Sequence, residues 1–219
     1  ILCDLAICYY HISNHQVCID LNMQILRMCD SVLGKTHPTK ATALSNLALC
    51  YGDMGHNAYA IRYFKQALKI YKDIYGENHS HYATVLNNLA LCYFNNGDYE
   101  KAIIYNDQAL KIYKIAFGES HPDYARSINN KARYCIELGY YQPAIELLDQ
   151  ALTIQKSLLG ENNPAYATYL NNVAVYYRMM GDNSRAISLL KEVLELKKAI
   201  LGESHIDYAL SLNNLSVCY

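Results

Sequence analysis

Neither sign of charge dominates this sequence. It has 19 Lys and Arg against 20 Asp and Glu, a formal net charge of −1, which removes the bulk electrostatic case for a nucleic acid or a membrane surface as partner. No stretch approaches the run of about 18 apolar residues that a membrane-spanning helix needs. Residues 1–8 are apolar but lack a basic leader and include Asp4, so they do not read as a targeting signal. Phosphate-cradling G-x-G-x-x-G or Walker loops are missing, as are the H-E-x-x-H and G-x-S-x-G patterns of hydrolases. Strand-like alternation of apolar and polar residues is absent as well. These gaps point to a soluble, non-enzymatic protein with no catalytic centre, metal or cofactor, whose partners are neither nucleic acid nor membrane.

What is present is a period. The segment from Ala83 to Ala102 returns 42 residues later as Ala125 to Ala144, and 42 earlier as Ala41 to Ala60. Gly34, Gly76, Gly118, Gly160 and Gly202 form one series at that spacing, and Gly55, Gly97, Gly139 and Gly181 a second. A fixed period of this size means stacked supersecondary units touching only their neighbours. Between the glycines the apolar spacing is helical: Leu86, Leu89, Ala90 and Tyr93 lie on one face of a first helix. Ala102, Tyr105, Ala109, Leu110 and Ile112 trace a second helix, ended at Gly118 by a residue suited to a left-handed C-terminus. Pro38, Pro122 and Pro164 suit the first turn of a helix, where a missing N–H leaves no bond unmade. Ala48, Ala90, Ala132 and Ala174 recur on the first helices, and Ala60, Ala102, Ala144 and Ala186 on the second. A methyl at both places lets two antiparallel helices approach closely.

The pattern Leu-Ala…Tyr…Gly-Asp-Tyr…Ala…Ala-Leu resembles a tetratricopeptide repeat, whose usual unit is about 34 residues. The 42-residue unit, with Leu-Asn-Asn-Leu-Ala and Gly-Glu-Ser-His-Pro-Asp-Tyr-Ala, is similar to repeats of the kinesin light chain type. Nephrocystin-like proteins and many bacterial repeat proteins share it. The resemblance covers essentially the whole chain. It implies an all-α, right-handed superhelical solenoid of antiparallel helix hairpins, but function is only weakly specified, because one scaffold serves many proteins. The expected organisation is a single array over residues 1–219: a near-complete repeat at 1–40, full repeats at 41–82, 83–124, 125–166 and 167–208, and a partial one at 209–219. Without polar capping helices, the array is expected to be a fragment of a longer protein. Leu212, Leu215 and Tyr219 would then support end-to-end self-association.

Counted from the first alanine of each repeat, positions 2, 5, 9, 12 and 13 point away from the second helix, towards a concave wall. Position 5 holds Ser45, Asn87, Asn129, Asn171 and Asn213. An amide offers two donors and an acceptor, enough to grip the backbone of an extended segment. In kinesin light chains the matching asparagine lines a cargo-peptide groove, so the resemblance supports the same use here; the alternative is that the ladder bonds neighbouring helices. The adjacent ladder of Asn46, Asn88, Asn130, Asn172 and Asn214 reads as structural. Arg126, Arg133 and Arg178 fall on concave positions, and their planar forks suit the carboxylates of an acidic segment, though Arg133 and Glu137 are spaced to pair with each other. Lys131, in the leucine position, reads as a snorkelling side chain or a softened repeat tuned for binding.

His37, His79, His121 and His205 share one position per repeat and cannot converge on one ion, so they read as helix-start or loop residues. The recurring cysteines are too far apart for disulfides. They read as small buried thiols in a reducing, cytoplasmic compartment. The leading expectation is a protein-interaction scaffold holding an extended peptide in its concave groove. Other readings are a regulatory or sensing arm of an enzyme or signalling protein whose effector domain lies elsewhere, and a self-assembling spacer.

Overall fold

Histidine rings cap four of the helices. In the computed structural model, which describes residues 2–34 and 36–219, the ring Nδ1 atoms of His37, His79, His121 and His205 accept from the backbone N–H two residues on, at 3.1–3.2 Å. Asn163 caps in the same way through Oδ1 at 2.8 Å. Each cap meets an N–H that the helix itself leaves unpaired, and a proline follows immediately at Pro38, Pro122 and Pro164.

The helices are α1 (Leu2–His11), α2 (His15–Met28), α3 (Pro38–Asp53), α4 (Asn57–Tyr75), α5 (Ser80–Asn95), α6 (Tyr99–Phe117), α7 (Pro122–Glu137), α8 (Tyr141–Leu159), α9 (Pro164–Met179), α10 (Asn183–Leu201) and α11 (Ile206–Ser216). A π-helical turn, Cys29–Leu33, continues α2. No strand occurs among the described residues.

The long second helices end on glycine, with a torsion other than the one expected. Gly76 has φ 80° and ψ 171°, a positive φ with an extended ψ rather than the left-handed helical pair. That region is essentially closed to residues with a Cβ. Nothing lies within 4 Å of where a Cβ would sit, so torsion and not crowding selects glycine.

The alanines decide how closely each hairpin packs. Ala48, Ala90, Ala132 and Ala174 on the first helices, and Ala60, Ala102, Ala144 and Ala186 on the second, are all fully buried. Two compact units result, one ending at Phe117 and the other beginning at Gly118. In the first, hairpins α1/α2, α3/α4 and α5/α6 stack, α2 on α3 and α4 on α5. In the second, hairpins α7/α8 and α9/α10 stack and α11 covers α10.

Candidate functional site

Helical periodicity places Arg126, Asn129 and Arg133 at i, i+3 and i+7, on one face of α7. Asn171 and Arg178, seven residues apart, share a face of α9, and Asn213 lies on α11. All six belong to the second unit.

Their environments differ. Arg126 is exposed and donates to Asp123 Oδ1 at 2.8 Å, one turn back on α7. Arg133 is half-buried, and with Asn129 it flanks the Tyr176 hydroxyl of α9. Burial pushes the Tyr176 phenol up, while Arg133 and the Asn129 amide pull it back. The Asn129 Oδ1 is buried without a partner, as is the Tyr169 hydroxyl near Tyr176. Asn171 is half-buried, and its Oδ1 accepts from Asn214 Nδ2 at 3.2 Å and Ser211 Oγ at 3.3 Å, tying α9 to α11. Arg178 is half-buried near the end of α9, and Asn213 is exposed.

Asn87 lies in the first unit, on α5, and the structure gives it a different setting. It is 3% exposed, and its Oδ1 accepts from the fully buried Asn106 Nδ2 of α6 at 3.3 Å. Ser45 donates back to Ala41 O within its own helix. The position-5 ladder is therefore not uniform: Asn87 is buried against Asn106, whereas Asn129 and Asn171 are half-buried. Asn106 was readable in the sequence only as a polar residue, shared with Asn22, where Phe64, Leu148 and Leu190 stand in the remaining repeats.

Of the neighbouring ladder, Asn46 donates to Asn22 of the preceding repeat and Asn214 to Asn171. Lys131 is half-buried in the leucine position, and Cys135 is buried in the tyrosine position. All eight cysteines are free. Cys8 is exposed, unlike its equivalents Cys50, Cys92 and Cys218, which are buried. No group of three or more His, Cys, Asp or Glu side chains that could hold a metal occurs among the described residues. No described helix is long and apolar enough to cross a membrane.

The profile of the tetratricopeptide repeat matches residues 1–73, 81–157 and 141–199, and a second tetratricopeptide profile matches residues 45–114. No curated protein matches the chain. Among solved structures, a Podosopora anserina protein described as a putative kinesin light chain with nearly identical TPR-like repeats is similar in fold. A single-substitution form of it is 24% identical, with a TM-score of 0.78 over 90% of this chain and 93% of that one. Its unsubstituted form is 24% identical, at 0.77 over 91% and 95%. BtubC (BKLC) from P. vanneervenii is 22% identical, with a TM-score of 0.76 over 94% of this chain and 83% of that one.

Proposed function

We propose, taking as premise that this chain belongs to the tetratricopeptide repeat family, that its second unit holds an extended acidic peptide along the faces of α7, α9 and α11. The fold is that of a protein-interaction scaffold. Arg126, Arg133 and Arg178 would take carboxylates of the peptide through bidentate pairs, and Asn129, Asn171 and Asn213 would bond its backbone. Asn87, packed against Asn106, would shape the first unit rather than touch the ligand.

The observation that carries this reading is the unmet Asn129 Oδ1 on the same α7 face as Arg126 and Arg133. A buried acceptor with no donor costs free energy until something supplies one, and a rotation of the amide towards a peptide N–H would do so beside a cation. A peptide-library screen by fluorescence anisotropy tests it. Acidic sequences should be selected, Arg133→Ala with Arg178→Ala should weaken the best of them about tenfold, and rising salt should weaken it further. Selection of neutral sequences, or a flat salt response, would count against the arginines.

A further inference from the structure

The first unit brings two cations to one aromatic ring. At the junction of α4, α5 and α6, Lys65 Nζ lies 5.6 Å and Lys101 Nζ 5.5 Å from the centre of the Tyr93 ring. Tyr105 stacks on Tyr93 at 5.2 Å with 5° between the rings. Tyr93 is the main influence raising the Lys65 amine above its ordinary value. Both lysines are exposed. One repeat back, Arg62 lies over Tyr59 and Tyr63 at 5.6 and 5.1 Å, and both rings stack on Tyr51, at 5.5 and 5.6 Å between centres.

The same positions in the second unit are filled differently. Tyr177 corresponds to Tyr93, Arg185 to Lys101 and Asp149 to Lys65, each displaced by 84 residues. There the tyrosine hydroxyl donates to Asp149 Oδ1 at 2.8 Å and accepts from Arg185 at 3.3 Å. One anion and one cation satisfy each other through the phenol. In the first unit both partners are cations, and they repel. Asp98 meets the charge of Lys101, which leaves the Lys65 side of the ring positive.

We propose that Lys65 and Lys101, converging on the Tyr93–Tyr105 stack, form a docking point for a carboxylate of an acidic protein segment, with Arg62 on its tyrosine shelf taking a second acidic side chain. An incoming carboxylate supplies the charge that Asp149 supplies in the second unit. The occupant is set by charge complementarity: two to three cations with tyrosine donors bind an oxyanion side chain and gain little from a neutral or basic one.

The test uses the whole chain and a rhodamine-labelled decapeptide of alternating Glu and Gly, read by fluorescence anisotropy at low salt, with alternating Gln and Gly as control. In an Arg126→Ala/Arg133→Ala/Arg178→Ala background the acidic peptide should still bind and the control should not. Adding Lys65→Ala and Lys101→Ala should weaken binding about tenfold or more, as expected for losing two charge-assisted contacts. Asp98→Asn, which keeps a side-chain oxygen for the Lys101 N–H that Asp98 now caps, should tighten binding instead, by about threefold. No binding in the triple-arginine background, indifference to the two lysines, or weaker binding by Asp98→Asn overturns the proposal. The first of these outcomes leaves the groove of the second unit standing.

Discussion

Tyr71 and Tyr113 in the first unit and Lys197 in the second occupy one position of the repeat, and all three are buried. The tyrosine hydroxyls bond within their own hairpin, although the Tyr71 ring also meets His81 of α5. Tyr113 donates to Thr84 Oγ1 at 3.1 Å, and the Tyr71 hydroxyl meets Thr42 Oγ1 at 3.0 Å. Lys197 reaches on to the next repeat, donating to Ser211 Oγ at 2.9 Å and to the Asp207 carbonyl at 3.1 Å, both on α11. Ser211 in turn donates to Asn171. At this position Tyr71 and Tyr113 thus bond within their own hairpins, and Lys197 bonds to the helix that follows. The exchange has an electrostatic cost: burial holds the Lys197 amine below its ordinary value.

The sharpest way to break this contrast is to empty the tyrosine position. Tyr113→Ala is expected to cost about 3–5 kcal/mol, the range for removing a fully buried ring. Urea denaturation gives the total, and hydrogen exchange should place the loss in α5 and α6. A loss spread equally over α9 and α10 would contradict an intra-hairpin lock.

Next in size is a change that should ignore the contrast. Ala102→Leu and Ala186→Leu fill equivalent, fully buried contacts, and each should cost about 1–3 kcal/mol by overpacking. A much smaller cost in one unit would show that its hairpin is looser than its geometry suggests.

Removing only the hydroxyl isolates the bond. Tyr113→Phe should lose about 1 kcal/mol, whereas Lys197→Met, which deletes a buried charge together with its bonds, should stay within about 1 kcal/mol of the parent. A large loss for Lys197→Met would make the link to α11 the stronger of the two.

The smallest effect is in pH. Because the folded Lys197 value lies below its ordinary 10.5, the unfolded chain binds the extra proton between the two, and stability rises with pH in that window. Below it both states are protonated and the cost of the buried charge is present in full. Paired denaturation curves of the parent and Lys197→Met should therefore shift in favour of the parent as pH climbs towards 10.5. Parallel curves would mean that Lys197 titrates alike in both states.

Much of the fold was legible because it recurs. Four histidines in one position pointed to helix starts, and the paired alanines to close hairpins, since each repeat restates the same local requirement. What recurrence hides is a partner in another helix. Asn87 matches Asn129 and Asn171 in position, yet its setting depends on Asn106, where other repeats have Phe64 or Leu148. Lys65 and Lys101 belong to different repeats and meet only across Tyr93, so no spacing along the chain announces them. The candidate groove was thus readable as a face, while the state of each side chain on it was set by residues elsewhere.

The glycine exits carry a consequence for how such arrays can be rebuilt. Gly76, Gly160 and Gly202 leave their helices through nearly the same pair of angles, each with its N–H on the carbonyl four residues back and open space where a Cβ would sit. A joint of that kind puts no side-chain requirement of its own on the helix it leads into. Segments cut at these glycines should therefore be exchangeable as far as the hinge is concerned, and the fit of a transplanted segment falls on the faces it shares with its new neighbours, such as the Lys197 bonds to α11.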